Sequence, residues 1–130
     1  MYEIRVHAHF DAAHRLRNYT GKCSRLHGHT WKIEALVQGN GLDSTGMLID
    51  FKVFKGILAD VLDEFDHQCI NDLPGFADNL PDTLNPTAEN IAKYIYQKMR
   101  QQIKARVPGT RLGKITVWES PGAAAAYWED

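Results

Sequence analysis

His27-Gly28-His29-Thr30-Trp31-Lys32-Ile33-Glu34-Ala35-Leu36-Val37-Gln38-Gly39 alternates with a period of two. Trp31, Ile33, Ala35 and Val37 fall on one side; Lys32, Glu34, Leu36 and Gln38 fall on the other. That period predicts a half-buried strand. His27 and His29 continue its apolar side, where an unpaired polar group is costly. Two imidazoles on one face can grip one metal ion. Gly28 points the opposite way and leaves the backbone uncrowded for a close approach.

Working outward, a third imidazole lies just upstream in Phe10-Asp11-Ala12-Ala13-His14-Arg15-Leu16. Tyr2 to Ala13 predicts another strand, because Ile4, Val6, Ala8 and Phe10 alternate with Arg5, His7, His9 and Asp11. His14 comes at its far end, in register with the apolar set. Asn18 to Ser24 reads as a loop. His14, His27 and His29 thus sit on neighbouring strands, and three His ligands without a fourth are the pattern of an open, catalytic zinc site. His7 and His9 also form a His-x-His pair, but on the polar face, and are assigned to the surface or to an outer shell.

Downstream, Asp50 is placed to cap a helix over about Phe51 to Phe65, with Phe54, Leu58, Val61, Leu62 and Phe65 at helical spacing. Asp66-His67 opens an irregular stretch that runs to Pro86. Thr87 caps a second helix, whose apolar stripe is Ile91, Tyr94, Ile95, Met99 and Ile103 and which Pro108-Gly109 ends. Leu112 to Glu119 and Ala123 to Trp128 predict two more strands around the turn Pro121-Gly122. The expected fold is α+β: a four-stranded antiparallel sheet with two helices on one face, in the order ββααββ. Its open edges predict a homo-oligomer.

A chain of 130 residues, 44% hydrophobic and 24% charged, fits one domain spanning 1–130. A net charge of −1 predicts no general affinity for nucleic acid or membrane. Cys23 and Cys69 have unlike surroundings and make no disulfide framework. Met1-Tyr2-Glu3-Ile4-Arg5 has no signal-peptide apolar core. Together these predict a reducing, cytoplasmic setting.

Cys23 leaves two readings open. It could close the metal site as a fourth ligand, giving a structural centre of one Cys and three His. It could instead be a free thiolate that moves a proton, favoured by Lys22, Arg25 and the metal. Asp66-His67 offers a proton acceptor and its charge partner. Glu119 could accept two N–H groups from a guanidine-like ligand edge. Cys69 fits an inert thiol.

These motifs occur in the order of a known family. Phe10 to Leu16, Cys23-x-x-x-His27-Gly28-His29, Asp66-His67, Asn85-Pro86-Thr87-Ala88-Glu89-Asn90 and Glu119 together resemble the 6-pyruvoyl-tetrahydropterin synthase family. The three-residue gap between Cys23 and His27 is similar to its bacterial branch, which forms 6-carboxytetrahydropterin for queuosine. The resemblance implies the tunnelling fold and a hexamer built as a dimer of trimers, with active sites between subunits. It implies Zn2+ on His14, His27 and His29, and Cys23 as base with Asp66 and His67 as a relay. Glu119 would anchor the pterin, with Thr87 near it. The substrate would be 7,8-dihydroneopterin triphosphate, and the products 6-carboxy-5,6,7,8-tetrahydropterin, acetaldehyde and triphosphate. Lys22, Arg25 and Lys52 are candidates for the phosphates. Remaining alternatives are a 6-pyruvoyl product, an aldolase or cyclohydrolase of the same fold, and the structural zinc protein.

Overall fold

The computed structural model describes all residues, Met1–Asp130. Two long strands form its spine: β1 (Tyr2–His14) and β2 (His27–Gly39). They pair antiparallel without a register break, from Tyr2 opposite Gly39 to His14 opposite His27. The helix α1 (Phe51–Leu62) follows, then a two-residue strand β3 (Gln68–Cys69), the helix α2 (Ala88–Arg106), and the strands β4 (Arg111–Ser120) and β5 (Ala123–Tyr127). The sheet order is β3-β1-β2-β4-β5.

This corrects the expected four-stranded antiparallel sheet. The sheet has five strands and is mixed, because β3 pairs parallel with β1 through Ala12–Gln68 and Ala13–Cys69. The stretch after Asp66, read as irregular, returns along β1 just long enough to make that pairing. Two residues are too short to show any period, so the sequence carries no strand signal there.

Both helix caps form as read. Asp50 accepts from the Lys52 N–H at 2.7 Å, and Thr87 Oγ1 accepts from the Asn90 N–H at 3.1 Å. The first helix stops at Leu62, three residues early. Its end tightens into turns, with Phe65 N–H bonded to Leu62 O at 2.9 Å, and Phe65 is still fully buried. Its apolar contact therefore survives the loss of helical backbone.

The alternation of β1 and β2 sets the layers. Val6, Phe10, Ala12, Trp31, Ile33, Ala35 and Val37 join Phe54, Leu58, Ile91, Ile95 and Met99 of the helices in one cluster of 25 buried residues. Burying each large side chain of this kind contributes about 1.5–3 kcal/mol. The opposite face carries Arg5, His7, His9, Asp11 and Thr30, all exposed. There His7 Nε2 meets Glu34 Oε2 at 2.7 Å, which makes His7 a surface pair. No helix is long and apolar enough to cross a membrane.

Candidate metal centre

The three predicted histidines converge. Their register puts His14 beside His27 and Ala12 beside His29. The His14 ring centroid lies 4.7 Å from that of His27 and 5.2 Å from that of His29, and the latter two are 4.8 Å apart. Trp31 packs edge-on against His14 and His29 at 4.9 and 5.2 Å, one step inward along the same face.

The outer nitrogens of two rings are held. His14 Nδ1 lies 2.7 Å from the Pro86 carbonyl, and His27 Nδ1 lies 2.7 Å from the Arg25 carbonyl. A carbonyl only accepts, so each of these nitrogens carries the proton and the Nε2 lone pair is left free. His14 is fully buried, and both His14 Nε2 and His29 Nε2 are buried with no hydrogen-bond partner. Orphaned buried lone pairs are costly unless a cation meets them. Burial holds both imidazoles below the usual histidine range and so keeps them neutral; for His14 the Pro86 carbonyl pulls the other way, and for His29 the Glu119 carboxylate does. Neutral imidazoles suit zinc, as do the tautomers fixed at His14 and His27, and the chain's donor set fits that ion.

The donor atom that joins the three histidines is unexpected. Glu119 offers a carboxylate oxygen, and the donor atoms of His14, His27, His29 and Glu119 all lie within 4.8 Å of one another. Cys23 is outside that group. It sits half-buried on a single 3-10 turn, Lys22–Ser24, with its carbonyl accepting from Leu16 N–H at 2.9 Å. Lys22 and Arg25 flank it and are exposed, and Lys52 is exposed on the first turn of α1.

Asp66 and His67 are brought together, but elsewhere. Asp66 Oδ2 meets His67 Nδ1 at 3.0 Å, and Asp66 Oδ1 accepts from the Asp11 N–H at 3.0 Å. His67 N–H donates to the Asp11 carbonyl at 2.6 Å. The hydrogen bond to the Asp11 N–H is the main cause that lowers the Asp66 carboxyl below its usual range, with His67 second. His67 takes a positive φ of 58°, unusual for a non-glycine residue, and these bonds hold it there. Asp11 also accepts from Thr30 Oγ1 at 2.5 Å, on the polar face. By strand parity that face is opposite the three histidines. The Asp66 and His67 donor atoms lie within 4.8 Å of the Asp11 carboxylate, so within one chain the pair sits at the β1 edge on the polar side and apart from the imidazole group.

Two hollows meet at Gly28-His29-Thr30. One, of about 550 Å³, includes Asp11, His67 and Cys69; the other, of about 580 Å³, includes His9, Lys32, Trp118 and Glu119. A Cβ on Gly28 would meet nothing nearer than the Ala12 carbonyl oxygen at 4.0 Å, so the space above it is open. Thr87 is half-buried beside Pro86, and its hydroxyl oxygen is occupied as the helix cap, leaving its own proton to donate.

Some supports were missed. The Pro86 carbonyl lies within a quoted motif, yet nothing in the residue type announces a backbone acceptor. Asn71 Oδ1 accepts from Arg15 N–H at 2.9 Å and its Nδ2 donates back to Arg15 O at 3.1 Å; Asn85 does the same for Arg17 at 2.8 and 3.2 Å. These paired amides continue the strand beyond His14 by side chain. Arg15 and Arg17 both pair with Asp78.

A family model described as 6-pyruvoyl tetrahydropterin synthase matches residues 3–130. The chain belongs to that family. It is 32% identical over 127 residues to the 6-carboxy-5,6,7,8-tetrahydropterin synthase of Bacillus subtilis, covering 97% of this chain and 84% of that one. The enzyme of the same name from Synechocystis is 36% identical over 124 residues, covering 92% and 87%. The dihydroneopterin monophosphate aldolase of Pyrococcus furiosus is 32% identical over 112 residues, covering 86% and 84%. Among solved structures, the 6-pyruvoyl tetrahydropterin synthase of Caenorhabditis elegans superposes with a TM-score of 0.83 at 26% identity, covering 99% and 96%. These relatives support a pterin enzyme with the tunnelling fold.

Proposed function

We propose that this chain, as one domain, is a zinc-dependent 6-carboxy-5,6,7,8-tetrahydropterin synthase acting on 7,8-dihydroneopterin triphosphate in queuosine biosynthesis. The observation that carries the reading is the pair of buried, unpartnered Nε2 atoms on His14 and His29, joined by His27 with its tautomer held by the Arg25 carbonyl. These three residues hold the ion. Bound zinc supplies a Lewis acid that acidifies the substrate's side-chain hydroxyls and steadies developing negative charge on oxygen.

The chain's own groups do the rest. Cys23, next to Lys22 and Arg25, takes a proton from the side-chain carbon. Asp66 orients His67 through the 3.0 Å contact, and His67 returns the proton. Glu119 accepts the amino-pyrimidine N–H groups, and Thr87 donates near the pterin. Lys22, Arg25 and Lys52 draw in the triphosphate. Triphosphate leaves, and one water molecule adds to the side-chain carbonyl next to the ring, so that carbon–carbon cleavage leaves a carboxyl on the ring and releases acetaldehyde.

The separation of the Asp66–His67 pair from the histidines supports an oligomer, because a complete site then draws the pair from a neighbour. A hexamer of two trimers satisfies this. Two exposed sheet edges, most of β1 and all of β5, support the same assembly. No helix of the fold needs a bilayer, and a cytoplasmic setting fits the two free thiols.

The structural alternative of one Cys and three His is disfavoured, since Glu119 and not Cys23 reaches the histidine group. The Pyrococcus furiosus relative favours one second reading, an aldolase. Mass spectrometry of the product from 7,8-dihydroneopterin triphosphate and the zinc-loaded protein separates these. A 6-carboxy product with acetaldehyde establishes the proposal. A 6-pyruvoyl product changes the pathway, and a 6-hydroxymethyl product, left by aldol cleavage of the side chain, assigns the aldolase.

A further inference from the structure

Glu119 is the extra residue of a β-bulge. On β5, Ala124 pairs with Trp118 and Ala123 pairs with Ser120, so Glu119 has no partner of its own. A bulge bends its strand and re-aims a side chain. Trp118 stays on the polar face, with Lys32 Nζ 4.8 Å over its ring. Glu119 turns toward the histidines.

There its Oε1 lies 3.2 Å from His29 Nε2. The contact is close but does not have hydrogen-bond geometry, and His29 Nε2 stays without a partner. A neutral imidazole lone pair and a carboxylate oxygen repel each other. A cation held between them would turn that repulsion into two bonds. For bonds of about 2.0–2.1 Å, two donors on one tetrahedral ion are about 3.3–3.4 Å apart. The observed 3.2 Å is close to that edge length.

We propose that Glu119 is the fourth protein ligand of the metal in the substrate-free enzyme, and that it leaves the metal to bind the pterin ring. The inference rests on the metal site proposed above. One carboxylate cannot serve both partners at once, so the pterin and the metal compete for it. The position open to the substrate side chain is then created by the ring's own arrival. Before that, the carboxylate keeps water from it. Only coordinate and hydrogen bonds change in the exchange, and the carboxylate remains an anion throughout. The coupling is reciprocal: whatever the pterin ring costs the metal, the metal costs the pterin ring.

The test uses the full chain and needs no turnover. Metal content of the wild type comes first; a protein that takes up no zinc or cobalt overturns the site itself. With metal bound, E119Q should lose zinc to a chelator at least about tenfold faster, since even residues behind the ligands are worth 10–100-fold. The cobalt form of E119Q should show a changed visible spectrum. In the wild type, unsubstituted pterin, which has the ring and no side chain, should also change the cobalt spectrum and speed zinc loss. That measurement stands even if E119Q fails to fold. Unchanged zinc retention in E119Q, or a wild-type cobalt spectrum indifferent to saturating pterin, overturns the proposal while leaving the three-histidine site in place.

Discussion

His14 donates its Nδ1 proton to the carbonyl of Pro86, at 2.7 Å and across 72 residues of sequence. The very next residue, Thr87, caps α2. The orientation of one buried imidazole is thereby tied to the start of a helix.

Thr87→Ala should therefore do more than weaken a helix. Loss of a cap costs about 1 kcal/mol, or about 4 °C in Tm for a chain of this size. It should also loosen Pro86 and raise the rate of zinc loss. Calorimetry together with chelator competition checks both; a lower Tm with unchanged zinc retention would separate cap from ligand.

His14→Ala removes a fully buried ring and its free Nε2. Zinc affinity should fall by at least about a hundredfold, beyond the range for outer partners of ligands. Elemental analysis after gel filtration gives the stoichiometry, and circular dichroism confirms that the fold remains.

Cys23→Ala should keep full zinc and lose about 10²–10⁴-fold in kcat, the range for one proton-transfer group. Stoichiometric metal loss in this variant would return Cys23 to the ligand set.

If sites form between chains, two dead variants should rescue each other. Cys23→Ala and His67→Ala, unfolded and reassembled as an equal mixture, should recover about a quarter of wild-type activity, because one site in four draws both intact residues from its two subunits. Activity no higher than that of either variant alone would place both groups in one chain.

Acid should release the metal and weaken the apo protein. His14 and His29 are held below the reference value of 6.5, so between that value and their lower folded values the unfolded chain binds more protons. Stability contributed by these neutral rings is present above about pH 6.5 and is lost as pH falls below it. Denaturant midpoints of the metal-free protein should drop over that window, and zinc should be lost by about pH 4.5. Midpoints that rise on acidification, or zinc retained in dialysis at that pH, would contradict this.

Much of this was legible in the chain. The period of Ile4 to Phe10 and of Trp31 to Val37 is strong because one face is buried, and a buried face permits one register only. The histidines continue that face, so their meeting followed from the same period. Asp50 and Thr87 were readable as caps because their side chains bond locally. What escaped was long-range or too short to repeat: the two residues of β3, the bulge at Glu119, the Pro86 carbonyl. The sequence put Asp66 and His67 beside each other, but only strand parity at Asp11 and Thr30 shows which side of the sheet they occupy. Helix α1 was read three residues too long because Phe65 keeps helical spacing while leaving helical backbone.

The amides of Asn71 and Asn85 are two knots in one cord. Each fastens the segment after His14, the first at Arg15 and the second at Arg17. Between the knots, Asp78 pairs with both Arg15 and Arg17, and Phe76 is fully buried in the core. Only the exposed tip, Asn79 to Asp82, is left where chain can be added or removed without tugging on the imidazole, provided both asparagines stay. The fold has a place where its outline is free to diverge while the metal's surroundings stay still.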